Sequence, residues 1–330
     1  MINRRHFLRN TSLLAAGSLV AGHADGLQTR RTTARPAAVV KKNFGLQTYS
    51  LTNRENVRQG QPDREFSSDV PGGLKRLAQM GYTTLELSGY SSAGKIGALP
   101  MAEFKKYADD AGLKIVSTHA GSPVSEYTKG NLEQAKEFWK RACDHHVAIG
   151  CKYLVQPGQP STRSTEEVAF VGEAFNEAGK IAKAAGLKFA YHNHSGEFVR
   201  VVPGGREPLP ERWPWGRTPE GAKMVYDGLL EATDPSLVEF QLDVYWAVMG
   251  RQDPVEYMNK YPDRIRLLHI KDRAILGESG MMNFQKIFEV AYAHKIEDFF
   301  VELEGYTGEG GQFGGVKGCA EYLMKAPFVK

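Results

Sequence analysis

Ionisable side chains recur at the ends of short apolar runs along this sequence of 330 residues. Four of them, His192, Asp243, His269 and Glu302, end successive runs in the second half of the chain. Two imidazoles and two carboxylates suit a single divalent cation such as Mn, Zn, Co or Mg. The sequence therefore predicts one metal site at these four residues. A divalent cation there would stabilise the charge that develops when a carbon next to a carbonyl loses its proton.

Further polar residues, at or just beyond the ends of the apolar runs, are predicted to contact a substrate. Those predicted to bind substrate are Glu86, His119, Gln156, His194, Trp246, Lys271 and Glu304. Residues two apart on a strand share a side, so His194 and Lys271 are expected to face the same way as the ligands but further out.

The apolar runs that carry these residues are short and rich in Val, Ile, Leu, Phe and Tyr, which predicts strands. Eight strands are expected, at residues 44–49, 82–87, 113–119, 152–156, 187–192, 238–243, 265–270 and 299–303. Between them, apolar residues at three- and four-residue spacing predict helices at residues 73–80, 102–111, 132–149, 165–185 and 284–293. Glycines such as Gly81 and Gly186 stand where a helix would end and a strand begin.

Strands that alternate with helices pair in parallel, either in a doubly wound sheet or in a closed barrel. Eight units favour a single (β/α)8 barrel, and the chain after the first predicted strand lacks the glycine-rich turn of a dinucleotide-binding fold. The carboxyl ends of barrel strands meet on one face, so strands five to eight would bring the four ligands together. Residues 195–217 are expected to form a long loop on that face, with Trp213 and Trp215 as candidates to stack on a sugar, and residues 305–315 a flexible rim loop.

The first residues of the chain predict export. Arg4 and Arg5 precede a short apolar run, which is typical of a twin-arginine signal peptide at residues 1–24 and a periplasmic location. The run is too short to span a membrane, so no stable membrane anchor is expected. A flexible linker at residues 25–42 and a barrel catalytic domain at residues 43–330 complete the predicted organisation.

Charge and cysteine content exclude several classes of protein. The 42 basic and 38 acidic residues are interspersed, which opposes a nucleic-acid partner, since such partners need a clustered basic face. Three cysteines give no disulfide framework. The expected partner is a small sugar, and a homo-oligomer is compatible with the sequence.

Four motifs resemble the xylose isomerase-like barrel superfamily of sugar isomerases and epimerases. They lie at residues 191–198 (YHNHSGEF), 242–246 (LDVYW), 268–272 (LHIKD) and 301–302 (VE), and the resemblance runs from about residue 44 to the end. It implies that Asp243, His269 and Glu302 occupy metal-binding positions. Many epimerases of the superfamily have a Glu on strand five, which works with the strand-eight Glu as an acid/base pair on opposite faces of the sugar. This chain has His192 at that position. The resemblance therefore implies Glu302 as a catalytic base and His192, or Glu197 from the next loop, as the group on the opposite face.

The resemblance implies a metal-dependent sugar isomerase or epimerase that removes a proton next to the carbonyl of a sugar or keto-sugar. Because His192 replaces a carboxylate, a keto-sugar lyase or dehydratase on the same site remains open, as does a periplasmic barrel that binds a sugar without chemistry. An endonuclease IV-like nuclease would need more metal ligands and a basic groove. A hydrolase of the amidohydrolase kind would carry its His-x-His on strand one rather than at His192 and His194.

Overall fold

Eight parallel strands close into a barrel in this computed structural model, which describes residues 42–52, 65–123, 127–128, 130–160, 162–209 and 218–330. The strands are β1 (Gly45–Gln47), β2 (Thr84–Leu87), β3 (Lys114–His119), β4 (Tyr153–Pro157), β5 (Lys188–His192), β6 (Val238–Asp243), β7 (Ile265–Ile270) and β8 (Asp298–Val301). Each strand pairs with its neighbours in the chain, and β8 pairs with β1. The predicted (β/α)8 barrel is confirmed. The predicted signal peptide, nearly all of the linker and the two loop tryptophans lie outside the described residues.

Helices surround the barrel and connect its strands. They are α1 (Glu65–Ser68), α2 (Val70–Met80), α3 (Met101–Asp110), α4 (Leu132–Ala148), α5 (Thr165–Ala184), α6 (Val225–Ala232), α7 (Val244–Met249), α8 (Pro254–Lys260), α9 (Phe284–Ala293) and α10 (Gly311–Lys325). Short 3-10 helices lie at Thr48–Leu51 and Ser195–Phe198. A small three-stranded antiparallel sheet has Lys95–Ile96 between Tyr90–Ser91 and Leu99–Pro100, and a two-stranded one pairs Arg200–Val201 with Lys223–Met224. Among the helices described, none has the length and hydrophobicity of a membrane span.

The last helix corrects one expectation. Residues 305–315 were expected to form a loop, yet α10 begins at Gly311 and only the residues before it are irregular. A Cβ atom at Gly315 would lie 2.4 Å from Cδ2 of Leu303. The glycine therefore allows α10 to pack closely against the residues that follow β8, and a larger residue at this position would require Leu303 and Tyr306 to shift.

The barrel interior changes from apolar to polar toward the carboxyl ends of its strands. Ala190, Leu267 and Phe300 belong to a separate buried apolar cluster. His192 and His269 each stand two residues further along β5 and β7, and strand alternation puts them on the same inward side. An apolar layer therefore lies beneath the polar layer and supports it.

A buried histidine away from the barrel interior should make the fold sensitive to acid. His146 on α4 has no exposed surface, its Nδ1 lies 2.5 Å from the carbonyl oxygen of Ala142, and its Nε2 has no hydrogen-bond partner among the described residues. Burial lowers the pKa of His146 to about 4. The neutral form is therefore the one that the fold accommodates.

The sign of the pH effect follows from that shift. In the unfolded chain this histidine takes up a proton below a pH of about 6.5, whereas the folded protein takes it up only near 4. Between these values the unfolded state binds more protons, so stability falls as the pH falls. When the pH falls from 7 to 4.5, the unfolding free energy of wild type should fall by about 2 to 3 kcal/mol more than that of a His146→Leu variant. Urea denaturation at the two pH values measures this difference. His145→Leu, at the adjacent half-buried position, is the control, and equal acid losses in wild type and His146→Leu would contradict the prediction.

Candidate metal centre

The four residues predicted as metal ligands lie together at the carboxyl ends of four neighbouring strands. His192 ends β5, Asp243 ends β6, His269 stands one residue before the end of β7, and Glu302 follows β8. Each offers one ligand-type atom, and these atoms lie within 4.8 Å of one another. All four residues are buried. The arrangement can enclose one small cation.

Two of the four candidate ligands have a buried atom without a hydrogen-bond partner among the described residues. Such atoms test whether a cation fits the site. Asp243 accepts a hydrogen bond from the backbone N–H of Trp246 at 2.8 Å through Oδ1, but its Oδ2 has no hydrogen-bond partner in the part of the chain described. His192 Nδ1 is likewise buried without a hydrogen-bond partner there. Buried polar atoms normally have a hydrogen-bond partner, so these two atoms fit the role of ligands to a cation.

Burial shifts the pKa of both residues in the direction that opposes charge. It raises the pKa of Asp243 to about 6, against the attraction of Lys271 and His269. It lowers the pKa of His192 well below the usual range, so this imidazole is neutral and keeps the lone pair that a metal ligand needs.

His269 connects the candidate metal ligands to a second buried carboxylate. Its Nε2 lies 2.5 Å from Oε1 of Glu86, while its Nδ1 lies 3.3 Å from Oε2 of Glu302 and 3.8 Å from Oδ2 of Asp243. Although burial opposes protonation, Glu86 and Glu302 raise the pKa of His269 to about 10. Without a metal, a positive charge therefore lies between these carboxylates.

A buried lysine supplies a second positive charge. Lys271 Nζ donates to Glu302 Oε2 at 2.8 Å and to Glu304 Oε1, and it lies 4.7 Å from the centre of the half-buried Trp246 ring. Burial opposes ionisation of Glu302, yet Lys271 and His269 hold its pKa well below the usual range. Glu302 is therefore ionised, as a ligand or a base must be.

The loop after β5 places His194 beside this cluster. Exposed His194 has its ring 5.0 Å from that of His192, and it lines a cavity of about 560 Å³ together with Gln156 and Glu197. Glu197 accepts hydrogen bonds from the Tyr191 hydroxyl through one oxygen and from the His194 backbone through the other. Burial raises the pKa of Glu197. These contacts cap the 3-10 helix and engage the carboxylate that was predicted to serve in catalysis.

Comparison with known proteins decides the family. The family model described as "Xylose isomerase-like TIM barrel" matches residues 74–318. This chain belongs to that family. A crystal structure described as a sugar phosphate isomerase/epimerase from Parabacteroides distasonis is 46% identical, with a TM-score of 0.79, and the alignment covers 89% of this chain and 99% of that one.

Curated relatives in the same family carry a different name. An inosose dehydratase of Clostridium beijerinckii is 30% identical over 241 residues, which cover 67% of this chain and 73% of the relative. One from Geobacillus kaustophilus is 24% identical over 231 residues, 62% of this chain, and the alignment spans 66% of the relative's length. This chain is thus similar both to a protein described as a sugar phosphate isomerase/epimerase and to proteins named as dehydratases.

The xylose isomerase-like barrel of this chain also holds polar residues that the sequence did not single out. Gln47, Ser117 and Gln241 all donate hydrogen bonds to Glu86, which has no exposed surface. His119 Nε2 lies 3.0 Å from Glu86 Oε1, and its ring is stacked on that of His269 at 5.2 Å. Glu86 thus lies behind a candidate ligand and not at a surface that a substrate could reach. The signal for Gln241 was its position two residues before Asp243, on the same side of β6.

Proposed function

We propose that this protein is a metal-dependent enzyme of the sugar isomerase and epimerase type, which removes a proton next to the carbonyl of a sugar or keto-sugar. The main support is the convergence of His192, Asp243, His269 and Glu302 within 4.8 Å at the active face of the barrel. The unpaired buried atoms of Asp243 and His192 add to it. The similarity to a protein described as a sugar phosphate isomerase/epimerase agrees with this proposal.

The side chains around the centre have separate roles in this proposal. When bound, a divalent cation polarises a substrate carbonyl and stabilises the negative charge that develops on its oxygen. Glu302, kept ionised by Lys271 and His269, accepts the proton from the adjacent carbon. Lys271, between Glu302 and Glu304, compensates the charge of these carboxylates. The half-buried Trp246 ring offers an apolar surface for the sugar.

A second candidate is elimination, as in a lyase or dehydratase, on the same site. Epimerisation uses an acid or base group on each face of the sugar, whereas elimination of water can use one carboxylate, which takes the carbon-bound proton and gives it to the departing hydroxyl. Here His192 stands on β5 among the candidate ligands, and both oxygens of Glu197 are engaged by Tyr191 and His194. These contacts favour a single base, Glu302, and the relatives named inosose dehydratase support the same candidate.

Deuterium exchange separates these candidates. Metal-free protein would be loaded with Mn²⁺ or Co²⁺ and incubated in D₂O with a panel of ketoses and an inosose, with products followed by NMR and mass spectrometry. We expect metal-dependent uptake of deuterium at a carbon next to the carbonyl. An inverted centre at that carbon would identify an epimerase, and loss of water from the substrate a dehydratase. Sugar binding without exchange or elimination across the panel would contradict an enzymatic role and leave a sugar-binding barrel.

We also propose that the chain is exported to the periplasm by the twin-arginine route. The support is the pair Arg4 and Arg5 before the apolar run of residues 11–22. Changing both arginines to lysine should retain the protein in the cytoplasm, as judged by cell fractionation and immunoblotting. The matched control changes Arg30 and Arg31 to lysine, beyond the predicted signal, and periplasmic recovery of the Arg4 and Arg5 variant would contradict the proposal.

A further inference from the structure

Glu86 on β2 is a buried carboxylate that the proposed mechanism does not use. Its Oε1 lies 2.5 Å from His269 Nε2 and accepts a hydrogen bond from Gln47 Nε2 at 2.9 Å. Its Oε2 accepts hydrogen bonds from Ser117 Oγ at 2.5 Å and from Gln241 Nε2 at 2.7 Å. These partners stand on β1, β3, β6 and β7, so the carboxylate is fixed by four different strands.

We infer that Glu86 is the positioning residue that makes His269 a metal ligand through Nδ1. The inference rests on the proposed metal-dependent function. An imidazole can bind a metal through either nitrogen, and the hydrogen bond made by one nitrogen decides which remains for the metal. Glu86 engages Nε2, which leaves Nδ1 on the side of Glu302 and Asp243, 3.3 and 3.8 Å away.

A positioning role accounts for the negative charge of Glu86, because moving a carboxylate from water into the protein interior costs free energy. A neutral side chain of the same size would fill this space without the cost of removing a charge from water. The carboxylate accepts the Nε2 proton of His269 in a charge-assisted hydrogen bond and thereby increases the electron density that Nδ1 offers to a cation. The neutral donors Gln47, Ser117 and Gln241 hold Glu86 in place without adding another charge.

His119, at the end of β3, reinforces this arrangement. Its Nε2 lies 3.0 Å from Glu86 Oε1 and 2.9 Å from Gln241 Oε1, and its ring is nearly parallel to that of His269, at 7°. The ring of His269 is thus held by a hydrogen bond at one edge and by stacking on one face. Both contacts restrict its rotation, and restricted rotation keeps Nδ1 directed at the other ligands.

Metal affinity tests the inference without an assay of activity. Metal-free wild type and a Glu86→Gln variant would be titrated with Co²⁺ by calorimetry. We expect the variant to bind Co²⁺ about 10- to 100-fold more weakly, the range found when the partner of a ligating histidine is removed. Glu239→Gln is the matched control, since it makes the same change at a carboxylate near the start of β6 that pairs with Lys188, and it should keep the wild-type affinity.

Thermal unfolding of the metal-free proteins separates positioning from support of the fold. A supporting role alone would lower the melting temperature of the Glu86→Gln variant and leave the Co²⁺ affinity of its folded form unchanged, which would overturn the inference. If wild type binds neither Co²⁺ nor Zn²⁺, the proposed function is overturned together with it. If wild type binds and the Glu86→Gln variant binds equally well, the inference alone is wrong.

A measurement on wild type decides the matter if the Glu86→Gln variant does not fold. Histidine nitrogens labelled with ¹⁵N report which ring nitrogen carries a proton and which carries a metal. In the Zn²⁺-loaded protein, the signals of His269, assigned by their absence from a His269→Gln variant, should show a proton on Nε2 and zinc on Nδ1. Zinc on Nε2, or a proton on Nδ1, would overturn the inference.

Discussion

The Glu302→Gln variant is expected to exchange the substrate proton about 10²- to 10⁴-fold more slowly than wild type, since removal of a general base has effects of this size. Lys271 donates to Glu302 Oε2 at 2.8 Å and, with His269, holds the pKa of this buried carboxyl well below its usual range. Glu302 of wild type is therefore an ionised carboxylate throughout the neutral pH range, as the proposed base must be. The amide of the variant has the same size but cannot accept a proton.

Glu302 is also a candidate ligand, so the experiment must separate a lost base from a lost metal. Exchange rates would be measured at Co²⁺ concentrations that saturate the variant, with metal content checked on the same sample. The control is Glu297→Gln, which changes an exposed carboxylate just before the start of β8, at the other end of the strand from Glu302, and should leave the rate unchanged. A metal-saturated Glu302→Gln protein with near wild-type exchange would assign the base to another residue.

The four candidate ligands could be predicted from the sequence because one rule relates chain position to space. Parallel barrel strands carry their carboxyl ends to one face, so an ionisable residue at the end of a recognisable strand is placed without knowledge of packing. His192, Asp243 and His269 were all found in this way. Their buried atoms converge as the rule requires.

The residues around Glu86 could not be predicted in the same way. Gln47, Ser117 and Gln241 are neutral, and their contact with Glu86 depends on the register of the strands. Gln47 is paired with Glu86 across β1 and β2, whereas the β2–β3 pairing shifts its register between Leu85 and Glu86. Such an irregularity is set by the closure of the whole barrel and leaves no local pattern.

Helix α10 was missed for a related reason. Its first turns contain Gly311, Gly314 and Gly315, and glycine disfavours a helix when each residue is judged alone. The contact between Gly315 and Leu303 makes the small residue favourable in the folded protein. Tertiary packing here outweighs local propensity, and the sequence alone indicated only the propensity.

The Asp243→Asn variant is expected to bind divalent metal more than about 100-fold more weakly than wild type, beyond the range for residues that only hold a ligand in place. The substitution keeps the size of the side chain, and asparagine can still accept the hydrogen bond from Trp246 N that begins α7. It removes the charge that Oδ2 would offer to a cation. Calorimetric titration with Co²⁺ gives the affinity. The control, Asp298→Asn, changes a carboxylate at the amino end of β8 that pairs with Lys152.

Without metal, the Asp243→Asn variant should be at least as stable as wild type, whereas with metal wild type should be the more stable. This reversal distinguishes a lost ligand from a damaged fold. Burial raises the pKa of Asp243 to about 6, so ionising it in the folded protein is unfavourable, and the metal-free variant should be no less stable than wild type at pH 7. Wild type should gain about 2.7 kcal/mol of unfolding free energy when free metal is 100 times its Kd, and the variant should gain almost none at that concentration. A variant that is less stable without metal, yet gains as much as wild type on adding it, would show that Asp243 supports the fold and does not hold the cation.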